Sequence, residues 1–116
     1  MINTELLEKY VQLLGQDKMF GLWQEYEQET KQGLHETVAG WLAFEQSDLL
    51  RNFFHARRCG ALSCGMTSFA AACAEWEDYF LSGGSAEALA EKLPNIVSLF
   101  DKEAAEVRDF LEKKHD

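Results

Sequence analysis

Apolar residues recur along this chain at three- and four-residue steps, the period of one face of an α-helix, and no convincing strand pattern interrupts them. A short first helix is predicted over about residues 4–14. Asn3 or Thr4 supplies its N-cap, Leu6, Leu7, Tyr10, Val11, Leu13 and Leu14 its apolar positions, and Gly15 its end, a size that suits a lid. A longer second helix opens near Asp17, with Met19, Trp23, Tyr26, Thr30, Leu34, Val38 and Trp41 on one face; Gly33 and Gly40 weaken it without ending it. Ser47 and Asp48 offer the cap and acidic first turn of a third helix, whose apolar Leu50, Phe53, Phe54 and Ala61 lead to a break at Gly65. A fourth follows over about residues 66–81, striped by Phe69, Cys73, Trp76 and Phe80. After the turn Ser82-Gly83-Gly84-Ser85, Ser85 can cap a final helix that reaches about Lys113 along Leu89, Leu93, Ile96, Phe100, Ala104, Val107 and Leu111. Pro94 falls inside it, where a kink or a restart is expected.

Each stripe can be buried only against the others, so the predicted fold is all-α: an antiparallel up-and-down four-helix bundle over about residues 17–113, with the short helix as an N-terminal extra. At 116 residues one domain spanning 1–116 is expected.

Composition narrows the classes of function. No segment approaches the roughly 20 apolar residues of a membrane span, and no basic stretch followed by an apolar run opens the chain, so no membrane association and a cytoplasmic location are expected. Cys59, Cys64 and Cys73 are odd in number and form no Cys-x-x-Cys pair, which suits reduced thiols acting as small core residues. Twenty acidic against eleven basic side chains leave a formal charge of −9, which repels a nucleic-acid backbone.

Against that acidity stands a positive island. Three of the four arginines, Arg51, Arg57 and Arg58, flank His55 within eight residues. At about 100° per residue, Arg51, His55, Arg58, Cys59 and Leu62 share one face of the third helix, while Leu50, Phe53, Ala61 and Cys64 point the opposite way. His55 should therefore face solvent, with guanidinium groups a turn to either side. Imidazole titrates near neutral pH and its neutral ring nitrogen can attack phosphorus, while arginine presents a permanent charge and forked donors to phosphate oxygens. A solvated helix surface can carry the same residues, so residue types leave both readings open.

The run His55-Ala56-Arg57-Arg58-Cys59-Gly60-Ala61-Leu62-Ser63-Cys64-Gly65 resembles the signature of the histidine-phosphotransfer (HPt) domain family: a His, a basic residue three positions on, a small residue at four and a Gly at ten. Phe69, Cys73, Trp76 and Glu77 match the family's apolar, Cys, apolar and acidic positions on the next helix, and the likeness covers residues 17 to 112. The resemblance implies that His55 is phosphorylated on its exposed ring nitrogen, that Glu77 orients the ring through the other nitrogen, and that Arg58, in the place of the usual Lys, steadies the phosphate. It implies docking through Arg51, Cys59 and Leu62, and a structural turn at Gly65. The function so implied is that of a phosphorelay intermediate and not a stand-alone enzyme. Its partners would be response-regulator receiver domains and a hybrid sensor kinase, it would act as a monomer, and it would hold no cofactor of its own, Mg²⁺ being supplied by the receiver.

Two residues depart from the family pattern. Cys59 stands where Gly is most frequent, and Arg57 stands where an apolar residue is usual and the helical wheel points coreward. A buried, unpaired guanidinium costs several kcal/mol, so Arg57 must snorkel out or meet a carboxylate. These departures leave an alternative: a degenerate HPt-like module that binds receiver or kinase domains without carrying phosphate. A metal site would need more ligands than His55 and Cys59. His35 and His115 read as surface residues, and the three tryptophans as core.

Overall fold

The computed structural model of the protein describes the backbone of residues 2–115 and the side chains of residues 2–113. The chain is all-helical: among the described residues the only strand-like pairing is an isolated antiparallel bridge between Ile2 and Met66. Helix α1 (Thr4–Leu14) starts where Asn3 Oδ1 accepts the Leu6 N–H (3.1 Å) and stops at Gly15, whose N–H still bonds the Val11 carbonyl and whose φ of 91° then turns the chain away. It is a cap on one end of the molecule and not a cover over His55. Leu7 is fully buried and the Asn3 N–H donates to the Gly65 carbonyl at 2.7 Å, beside the turn that follows the His-bearing helix.

Helix α2 (Gln16–Gln32) buries Met19, Trp23, Tyr26 and Thr30, as its stripe requires. It runs without a break into a π-helical turn (Gly33–Thr37) and then α3 (Val38–Ala43), so Gly33 and Gly40 indeed do not end it. The π turn was not in the pattern. Its position coincides with a close approach: a Cβ built on Gly33 would lie 2.6 Å from Cε1 of Phe53, so that ring occupies the space a side chain would need. Leu34 and Val38 stay buried across the widened turn, while Trp41 is only partly covered.

Helix α4 (Ser47–Ser63) corrects one expectation: Gln46 occupies the N-cap without a side-chain hydrogen bond, and Ser47 is the first helical residue. After Cys64, Gly65 at φ 71° reverses the chain directly into α5 (Thr67–Leu81). The α4–α5 pair is the most extensive helix–helix contact among the described residues, and small residues on both helices, Ala61 on α4 and Ala70 and Cys73 on α5, are buried. The N-terminus of α5 is satisfied from another helix. The buried Glu103 carboxylate accepts the N–H groups of Ser68 (3.1 Å) and Phe69 (2.6 Å).

The 82–85 turn is closed by Tyr79, whose hydroxyl donates to the Ser85 carbonyl (3.0 Å) and accepts the Ser85 N–H (2.9 Å). Helix α6 (Ala86–His115) then continues through Pro94 with no restart. Ala90, whose carbonyl loses its partner to the proline, is exposed like Pro94 itself, so the freed acceptor faces solvent. The His115 ring, expected at the surface, lies outside the described side chains.

The core runs lengthwise through a molecule of 45 × 23 × 19 Å, with Trp23, Phe54, Phe69 and Phe100 fully buried and Phe69 edge-on to Phe100 at 4.9 Å. No helix among the described residues is long and apolar enough to cross a membrane. Cys64 and Cys73 are core residues as expected, but Cys59 is exposed, because it lies one turn beyond His55 on the outward face of α4.

Candidate functional site

Helix α4 separates its faces sharply. Leu50, Phe54 and Ala61 are fully buried, whereas Asn52, His55, Ala56, Cys59 and Leu62 form the exposed stripe. Burying Phe54 and packing the partly buried Phe53 ring against the core fixes the rotation of the helix about its axis, and that rotation turns His55 outward. Its side chain is 55% exposed.

The neighbouring helix meets the ring from below. Glu77, only 13% exposed, places Oε2 at 2.6 Å from His55 Nδ1. Two lone pairs at that distance would repel, so Nδ1 carries the hydrogen and donates to the carboxylate. In the neutral ring Nε2 then keeps the lone pair, on the opposite side of the ring from Glu77. Arg58 Nη2 lies 3.4 Å from Glu77 Oε1 and 3.4 Å from His55 Nδ1. Once Nδ1 is a donor it cannot accept from Arg58, so the guanidinium interacts with the carboxylate and stands near the ring as a charge. One carboxylate therefore hydrogen-bonds the imidazole through Oε2, while Oε1, which accepts no hydrogen bond, faces the guanidinium charge at 3.4 Å.

Of the residues singled out from the sequence, His55, Arg58 and Glu77 are brought together; Glu77 is a partner of the ring and not a solvated surface acid. Arg51 is not in contact with them: it turns to Asn52 Oδ1 at 3.4 Å and contributes charge from one turn away. Cys59 and Leu62 (53% exposed) lie on the same outward face as His55. Gly65 has its positive φ, and a Cβ there would sit 2.9 Å from the Asn3 carbonyl oxygen, so the close approach of the N-terminal segment also demands glycine.

Arg57 finds partners that the sequence did not reveal. It is 21% exposed, its Nη1 donates to Thr30 Oγ1 (3.1 Å) and stands 3.8 Å from Glu29, and its guanidinium lies over the rings of Tyr26 (5.3 Å) and Phe53 (6.0 Å). The Tyr26 hydroxyl completes the clamp by donating to the Arg57 carbonyl at 2.7 Å. Both of the escapes open to a coreward arginine are used, a carboxylate at the rim and a stem laid along apolar rings. Thr30, a polar residue in an otherwise apolar stripe, was the signal that could have located this contact. Glu103 was missed in the same way, as an acid on the seam between Phe100 and Val107.

Burial sets the nearby titrations: it pushes the Cys73 thiol up to about 12 and the Cys64 thiol up to about 11, and drives the Tyr26 phenol well above its ordinary range. Both buried thiols are thus protonated and inert at neutral pH. Among the described residues no three His, Cys, Asp or Glu side chains converge as metal ligands. Comparison of the chain with protein-family models, with curated proteins and with solved structures gave no match.

Proposed function

We propose that this protein is a phosphoryl carrier of the histidine-phosphotransfer kind, in which His55 takes a phosphoryl group from a receiver-domain aspartate or a kinase and passes it to a response regulator. The observation that carries the reading is the pairing of His55 Nδ1 with Glu77 at 2.6 Å on a ring that is half exposed, because it selects the tautomer whose free nitrogen faces outward. In this reading α2–α3, α4, α5 and α6 form the antiparallel up-and-down bundle of a single domain, with α1 as the extra N-terminal helix.

The Nε2 lone pair attacks the phosphorus of an aspartyl phosphate. The N–P bond forms as the P–O bond to the aspartate breaks, and the carboxylate leaves with the electron pair. The ring gains positive charge, which the Glu77 carboxylate offsets through the Nδ1 hydrogen, and Arg58 is near enough to turn toward the incoming phosphate. The acidic pocket and Mg²⁺ that assist the reaction belong to the receiver, so the carrier needs no cofactor of its own. An acidic pocket also gives Arg51 and Arg58 a task on the His55 side of this helix: they steer an encounter that the net charge of −9 opposes, while Arg57 is held on the coreward side by Thr30 and Glu29. Leu62 and Cys59 supply the uncharged contact around the ring, and a cytoplasmic monomer suffices for the task.

The test is transfer of labelled phosphate from a phosphorylated receiver. The wild-type protein should acquire acid-labile label and a His55→Gln variant should acquire none. Equal labelling of the two, or receiver binding with no label on either, rules the carrier role out.

A further inference from the structure

We infer that the negative charge of Glu77, over and above its hydrogen bond, governs how long a phosphoryl group stays on His55, and that Arg58 offsets part of this charge. The inference rests on the carrier reading and concerns the regulation of that same site.

Among the described residues few charged groups stand near the ring. Glu77 approaches from α5, Arg58 lies on α4 itself with Arg51 a turn earlier, and the Cys73 thiol, close enough to interact with both Glu77 and Arg58, is buried and neutral. The carboxylate oxygens are split, Oε2 to Nδ1 at 2.6 Å and Oε1 to the guanidinium at 3.4 Å. The ring's side chain is 55% exposed, so water as well as a partner reaches a phosphoryl group on Nε2.

The chemistry of the loaded ring turns on the Nδ1 hydrogen. In hydrolysis the oxygen of water attacks phosphorus, the P–Nε2 bond breaks, and its electron pair returns to Nε2; the protons of the water pass to phosphate and solvent. With Nδ1 still protonated the leaving group is a neutral imidazole. With that proton gone it is an imidazolate, a far stronger base, and the same step is slow. Transfer to an aspartate follows the same rule with a carboxylate as the nucleophile. A carboxylate partner holds the Nδ1 proton more firmly than a neutral amide does, since a charge-assisted hydrogen bond is roughly twice as strong. Glu77 therefore keeps the loaded ring ready to release its cargo. Arg58 opposes this through the charge it holds beside Oε1. The guanidinium has further N–H donors for an arriving phosphate, so Nη2 stays beside Oε1 and goes on offsetting the carboxylate while the ring is loaded.

Phosphoramidate, a small-molecule donor that phosphorylates imidazole directly, tests this without any partner protein. The phosphorus NMR signal that wild type shows and His55→Gln lacks reports the loaded ring, and its decay is followed between about pH 6 and 10. Glu77→Gln keeps an acceptor oxygen for Nδ1 but no charge. Its signal should decay about three- to tenfold more slowly than that of wild type at about pH 8, and its rate should begin to fall at a lower pH. Arg58→Gln frees the carboxylate and should move the profile the opposite way. A Glu77→Gln profile that overlays the wild type overturns the inference, as does an Arg58→Gln profile displaced in the same direction as Glu77→Gln. If the chemically loaded protein shows these profiles yet passes nothing to a phosphate-free receiver, the carrier reading fails and the charge effect stands.

Discussion

Cys59 lies in solvent one turn beyond His55, whereas Cys64 and Cys73 are sealed in the core, and this difference in burial separates three chemically identical thiols. The consequence is a pH dependence of stability. In the unfolded chain a thiol loses its proton near its ordinary value of 9.0, while in the folded protein burial holds Cys64 up to about 11 and Cys73 up to about 12. Between those limits the native state binds more protons than the unfolded state, so stability is fully present below about pH 9 and is lost as pH rises through the native values. Each buried thiol should cost roughly 1 kcal/mol per pH unit over that window. Urea unfolding at a series of alkaline pH values should show the decline, Cys73→Ala should flatten it, and Cys59→Ser should leave its slope unchanged. A slope that ignores Cys73 would show that this thiol is not held neutral by the fold.

The helical run from α2 through α3 contains two glycines that the chain uses differently. Gly33 gives its space to Phe53, and a Cβ there would lie 2.6 Å from the ring; Gly40 has nothing within 4 Å. Gly40→Ala should therefore stabilise the protein by up to about 1 kcal/mol through helix propensity alone. Gly33→Ala should destabilise it by about 1–3 kcal/mol, because the Phe53 ring must shift and α4 carries His55 two residues further on. Thermal melts of the two variants should move in opposite directions. A stabilising Gly33→Ala would mean that the π turn does not depend on the ring pressed against it.

Helix α6 ties the molecule together. Arg108 pairs with Glu27 on α2, the Gln16 amide donates to the Leu111 carbonyl, and Lys31 lies 3.9 Å from Asp101. Glu103, 1% exposed, caps the start of α5. The exposed ion pair of Lys31 contributes little, but the buried carboxylate satisfies backbone donors that have no water to turn to. Glu103→Ala should cost about 2–4 kcal/mol in chemical denaturation, and Glu103→Gln, which retains one acceptor, should cost less. Since α5 also presents Glu77, a frayed α5 would loosen the His55 hydrogen bond as well. Equal stability of Glu103→Ala and wild type would show that this cap is dispensable.

The helices and their buried faces could be read from residue order, because periodicity, an Asn3 cap and glycines at 15 and 65 act within a turn or two of themselves. The outward face of α4 followed for the same reason: Leu50, Phe54 and Ala61 define one side, and His55 is on the other. Even locally, the N-cap fell on Gln46 and not Ser47, since backbone angles decide which residue half-enters a helix. Pairings across helices were a different matter. Glu77 reaches His55 across 22 residues, a pairing that only the family resemblance suggested, while Arg57 reaches Thr30 across 27 and Glu103 reaches Phe69 across 34 with no such signal. Such contacts depend on which helices are neighbours and how each is rotated against the next. Those quantities come from packing large rings such as Phe53 and Phe54 into a shared core, a collective outcome to which every helix contributes and which no single segment encodes.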